Sequence, residues 1–159
     1  MSLSRRFAPR IWGAALAALV SGAALAAGLT GVDALKDRQT HMKGLGAATK
    51  AISDQFHSGA PNPAVIKAEA SKIDSYAQEL PTWFPKGSGP ETGAKTEALA
   101  LLWTDPSGFA GKAHALAVAA KNFDVAAQAG DQAALGAAGH DLGAACKGCH
   151  DTYRAKEKS

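Results

Sequence analysis

The stretch VDALKDRQTHMKGLGAATKAISDQF, residues 32–56, sets Val32, Leu35, Met42, Leu45, Thr49, Ile52 and Phe56 at spacings built from steps of three and four. Such steps gather side chains on one face of an α-helix. Ser58-Gly59-Ala60-Pro61 ends this helix, and Asn62 followed by Pro63 is a capping residue with a first-turn proline. The second helix carries Ile66, Ala70, Ile73, Ala77 and Leu80. From Pro81 to Gly93 the chain holds three prolines and three glycines around Trp83 and Phe84, which reads as a long crossover pinned by buried aromatics. A third helical stretch starts near Lys95, pauses at Thr104-Asp105-Pro106 and continues through Phe109, Leu116 and Phe123 to Ala129. Gly130-Asp131 stops it and caps a fourth helix running to about Lys156. With much alanine and no alternating pattern, the chain is predicted to be all-α, an antiparallel four-helix bundle with a long middle connection.

The 159 residues, 47% apolar and 19% charged, suffice for one core and exclude both a disordered tail and a multidomain enzyme. Arg5, Arg6 and Arg10 precede an apolar run from Ile11 to Leu25, which closes on Ala24-Leu25-Ala26. This is the layout of a secretory signal peptide over residues 1–26, leaving 27–159 as a single domain. A membrane anchor needs about 20 apolar residues, and Ser21 and Gly22 break this run. Ser4-Arg5-Arg6-Phe7 matches a twin-arginine signal only in part, so general secretion is the expectation. Without the leader, fourteen cations meet fourteen anions, so no basic surface for nucleic acid remains. Aromatic residues, at 6%, are too few for base-stacking platforms. No stable membrane insertion is expected after cleavage.

The two cysteines of the chain stand in Cys146-Lys147-Gly148-Cys149-His150. This is the c-type haem attachment pattern: two thiolates add to the haem vinyls and the adjacent imidazole binds iron. A disulfide across C-x-x-C belongs with a βαβ pattern, absent here, and zinc requires a second ligand pair that the chain lacks. At about 100° per residue, Cys146, Cys149 and His150 span roughly 100° of the last helix. Leu135, Gly139, Leu142, Gly143 and Tyr153 share that side. The two glycines there suit either the close approach of a flat group or a neutral exchange for alanine.

For the sixth position on iron the candidate is Met42, the one methionine left after the signal is removed. It lies mid-way along the apolar face of the first helix, which an antiparallel bundle can set across the haem from His150. The alternative is that Met42 only packs against the porphyrin. His41 is the rival ligand, about 100° away around the helix. His57 sits near a helix end, and His114 and His140 read as solvated or capping residues.

With these residues in place the chain resembles the class II c-type cytochromes, the cytochrome c′ family, and most of all the low-spin cytochrome c-556 type. The resemblance covers essentially the whole mature chain. It rests on the stretch from Cys146 to Arg154 close to the C-terminus, on Arg38-Gln39-Thr40-His41-Met42, on Leu80-Pro81-Thr82-Trp83-Phe84-Pro85, on Trp103-Thr104-Asp105-Pro106 with Phe109, and on Gly130-Asp131. It implies one haem c held by thioethers to Cys146 and Cys149 with His150 as axial ligand. Met42 takes the position that ligates iron in the low-spin branch and that a non-ligating side chain fills in cytochrome c′. It further implies that Arg38 pairs with a haem propionate and that Arg154 lies beside the proximal imidazole. Both arginines also suit surface salt bridges.

The function expected is that of a periplasmic electron carrier with His150 and Met42 on iron, serving periplasmic redox proteins. The alternative is a five-coordinate cytochrome c′ that binds nitric oxide or carbon monoxide. An enzyme is not expected, because a peroxidase needs distal acid–base groups and His41 has no arginine partner on that side. The Ala-rich first helix suits a homodimer.

Overall fold

The computed structural model describes residues 29–156. The leader expected over residues 1–26 lies outside the described residues, as does the C-terminal end from residue 157. Four long helices and one short one follow in order: α1 Gly31–His57, α2 Pro63–Glu79, the single turn α3 Leu101–Thr104, α4 Pro106–Ala129 and α5 Gln132–Tyr153. Among the described residues no helix is long and apolar enough to cross a membrane.

The caps are the expected ones. Asn62 Oδ1 accepts from Ala64 N at 3.0 Å with Pro63 opening α2. Asp131 Oδ1 accepts from Ala133 N and Ala134 N, each at 3.0 Å, to open α5. Gly130, in the left-handed region at φ 74°, closes α4. The turn between α1 and α2 is held by Gln55, whose Oε1 accepts from Asn62 N at 2.9 Å. These side chains satisfy backbone donors that a helix end leaves open, each worth about 1 kcal/mol.

Packing runs from α1 to α2, from α2 to α4 and from α4 to α5, while α1 and α5 barely touch. The long pairs are antiparallel. Between α2 and α4, Lys67 meets Gln128, Ser71 meets Asp124 and Asp74 meets Lys121, so numbers rise on one helix as they fall on the other. Between α4 and α5, Phe109 meets Tyr153 and Phe123 lies against Gly139. The α2 face predicted from spacing is buried throughout: Ile66, Ala70, Ile73, Ala77 and Leu80. On α1 the prediction holds for Leu35 and Ile52, whereas Val32 and Phe56 are 38% and 46% exposed at the helix ends.

Two boundaries differ from the sequence reading. Residues 95–100 are not helical, because Ala98 forms an antiparallel bridge with Arg154. Leu99 N donates to Tyr153 O and Ala155 N to Glu97 O, both at 2.8 Å. The same bridge draws Arg154 into extended conformation, φ −112° and ψ 137°, so α5 ends at Tyr153 rather than near Lys156.

Candidate haem-binding site

α5 carries the cysteine pair and the histidine in its last two turns. Cys146 and Cys149 are half-buried against the core, as are Met42 and Leu45 on α1. Burial pushes both thiols above their ordinary pKa, and Lys112 only partly offsets this at Cys149. Thiolates are therefore disfavoured here, whereas uncharged thioethers would carry no such penalty. His150 is exposed at the bundle surface. Partial desolvation, then the charge of Arg154, hold its pKa below the usual histidine value, which favours the neutral, metal-binding imidazole.

The open seam between α1 and α5 contains a cavity of about 530 Å³. Thr49, Ile52 and Phe56 line it from α1, and Leu135, Gly139 and Leu142 from α5. Leu142 lies one helical turn before Cys146, and Thr49 two turns after Met42, while neither the cysteines nor Met42 line the cavity itself. A larger cleft of about 870 Å³, lined by Phe84, Trp103 and Phe109, contains no residue of α5.

His41 packs among aromatic side chains. Its ring stacks on Trp83 with centroids 4.8 Å apart and planes at 11°, and meets Tyr76 edge-on at 5.9 Å. Its Nδ1 is buried and lies 3.3 Å from Asp37 Oδ2, a proximity that does not amount to a hydrogen bond. Of the other histidines, His57 Nδ1 donates to Ser53 O at 2.7 Å, and His114 and His140 are exposed.

Arg38 is buried at the crossover end of α1, only 3% exposed. Nη1 donates to Ser88 Oγ at 2.9 Å and to Trp83 O at 3.3 Å, and Nη2 to Ser88 O at 2.9 Å. The guanidinium lies 4.7 Å from the Phe84 ring centroid and 5.4 Å from that of Trp103. Desolvation lowers its pKa, and Glu91 at a distance works the other way. Arg154 binds Glu97 Oε2 through Nε and Nη2, both at 2.7 Å. Ser88, Glu97 and the Trp83 carbonyl are partners the sequence reading missed, since nothing local marks them.

Residues 33–154 match the family model described as Cytochrome C′. The chain belongs to the cytochrome c′ family. Its cofactor is accordingly covalently attached haem c. Cytochrome c′ of Pararhodospirillum photometricum is 40% identical over 121 residues, covering 76% of this chain and 90% of that protein. Cytochrome c-556 of Agrobacterium tumefaciens is 34% identical over 124 residues, covering 77% and 98%. Among solved structures, cytochrome c′ of Thermochromatium tepidum superposes with a TM-score of 0.75 at 27% identity, over 80% of this chain and 98% of that one. The nitric oxide complex of a variant of cytochrome c prime from Alcaligenes xylosoxidans does so with a TM-score of 0.72 at 29% identity, over 82% and 99%.

The residues present fit a cytochrome c′ haem. Two half-buried cysteines stand one helical turn apart on α5, and the apolar cavity between α1 and α5 ends one turn before them at Leu142. Arg38 adds a buried cation that makes no ion pair among the described residues, and such a charge gains from an anionic partner.

Proposed function

We propose that the chain is a five-coordinate cytochrome c′ that binds nitric oxide or carbon monoxide. When bound, the haem supplies an iron able to take a diatomic gas on its open side. Cys146 and Cys149 anchor it through thioethers, and His150 is the one protein ligand to iron. Arg38 neutralises a propionate at the crossover end, and Arg154, held by Glu97, keeps a positive charge beside the proximal imidazole. Met42 packs against the distal face as a half-buried core side chain. The observation that carries this reading is the company the fold keeps: similar solved structures are cytochromes c′, four of them with nitric oxide bound.

The reading with His150 and Met42 both on iron, an electron carrier, is favoured by one observation: Met42 and the cysteines are half-buried against the same hydrophobic core. His41, stacked on Trp83, offers no distal acid–base group, which supports a non-enzymatic role. The leader expected over residues 1–26, together with covalent haem, supports a periplasmic location for the mature chain, 27–159, among periplasmic redox proteins. One similar cytochrome c′ is described as having ligand-controlled dimer dissociation. A homodimer through α1 extends that behaviour to this chain.

Absorption spectra of the matured protein, ferric and ferrous, with and without carbon monoxide, test the choice. A high-spin ferrous spectrum that shifts on adding the gas is expected. A low-spin spectrum indifferent to carbon monoxide would replace it with the electron-carrier reading.

A further inference from the structure

Several contacts converge on the last turn of α5. Tyr153 Oη donates to Asp105 Oδ2 at 2.7 Å. The other carboxylate oxygen, Oδ1, accepts from Gly108 N at 3.0 Å and so caps α4. One side chain thereby ties the start of α4 to the end of α5. From the crossover, Leu99 N bonds Tyr153 O and Ala155 N bonds Glu97 O, while the Glu97 carboxylate holds Arg154. The fit is close: a Cβ on Gly108 would lie 2.5 Å from Tyr153 Oη, so only glycine there lets the phenol reach the cap. Tyr153 is 4% exposed and its ring meets Phe109 edge-on.

The terminal turn of a helix ordinarily frays. This one contains His150, whose carbonyl accepts from Arg154 N at 3.1 Å. Metal-binding histidines are commonly oriented by a group bonded to the second ring nitrogen. Among the described residues none hydrogen-bonds the His150 ring, and the residue is exposed. Its position is therefore inherited from its backbone. We propose that the Asp105–Tyr153 hydrogen bond, with the pairing of Glu97–Leu99 to Tyr153–Ala155, is a clamp that positions His150, making Tyr153 and Asp105 positioning residues for the axial ligand. The inference rests on the reading of His150 as ligand.

The test uses the full haem-loaded chain in its ferric state, read by the hyperfine-shifted proton resonances of the His150 ring and by amide exchange over residues 149–154. Tyr153→Phe removes one hydroxyl and keeps the ring contact. It is expected to move or broaden the ring resonances and to speed exchange in the last turn about tenfold, as loss of a bond to a charged group implies. Ser71→Ala, which removes a 2.8 Å bond to Asp124 between α2 and α4, should lower overall stability and leave the ring resonances in place. Unmoved resonances and unchanged exchange in Tyr153→Phe overturn the clamp. Absence of His150 ring resonances from the unsubstituted protein overturns the ligation itself, a separate and recognisable result. If Tyr153→Phe fails to retain haem, Glu97→Gln loosens only the exposed arm. It should show the same changes in smaller measure, and none would again overturn the clamp.

Discussion

Arg38 reaches across from α1 and grips Ser88 twice, through Nη1 to Oγ and Nη2 to the carbonyl, each at 2.9 Å. Ser88 is fully buried; its Oγ donates to Pro85 O at 2.8 Å, and its carbonyl is bonded by the arginine. Arg38→Met should cost about 2–4 kcal/mol, because it strips bonds from buried groups that no water can reach. Arg38→Lys should recover little of this, since an ammonium cannot reproduce the planar fork. Urea unfolding of the haem-loaded protein measures both; a loss under about 1 kcal/mol for Arg38→Met would show that the grip is dispensable.

Gly44 and Gly46 stand two apart on α1 and should respond oppositely to alanine. A Cβ at Gly46 meets nothing within 4 Å, so Gly46→Ala should gain about 0.5–1 kcal/mol from helix propensity alone. A Cβ at Gly44 would come 2.8 Å from Tyr76 Oη, and Tyr76 is fixed edge-on to both His41 and Trp83. Displacing that ring should outweigh the propensity gain, leaving Gly44→Ala less stable than its parent. Thermal unfolding of the pair decides, and equal shifts would refute the packing argument.

Tyr153 should make the protein sensitive to alkali. Desolvation, then the hydrogen bond to Asp105, push its pKa from 10.0 up to about 12. Above pH 10 the unfolded chain loses this proton while the folded chain keeps it, so stability falls as pH rises from 10 to about 12. The Asp105 carboxyl is held below its ordinary value, first by the Tyr153 bond and then by Gly108 N. Its contribution is present above the unfolded carboxylate pKa and is lost as pH falls through the folded one. Stability against pH for the parent and Tyr153→Phe should converge in strong alkali; parallel curves would contradict the raised pKa.

Met42→Ala should leave a high-spin protein high-spin and speed carbon monoxide association several-fold, because the side chain that packs the distal face is gone. Stopped-flow mixing measures the rate. A parent that is low-spin and becomes high-spin on this substitution would place the thioether on iron.

Where a feature is local, the chain could be read directly. The Asn62-Pro63 start of α2, its buried face, the Gly130-Asp131 junction and the Cys146 to His150 motif all lie within a few residues of their own signals. What escaped reading depends on partners far along the chain. Arg154 continues a helical pattern until Ala98 and Glu97, some sixty residues earlier, draw it straight. His41 sits beside Met42 with a ligand's chemistry, but Trp83 supplies a flat ring for it to stack on. Ser88 looks like an ordinary loop serine until Arg38 reaches it.

The weak contact between α1 and α5 gives the bundle the mechanics of a book. Its spine is the α2–α4 interface, sewn by Ser71, Asp124 and Gln128. Its covers are the α1–α2 and α4–α5 hairpins, each tied at its own turn by Gln55 or Asp131. None of these bonds spans the α1–α5 seam. The bundle is thus closed on three sides and left unsewn on the fourth, so side chains facing the α1–α5 seam can be exchanged with little cost to the packing that holds the rest together.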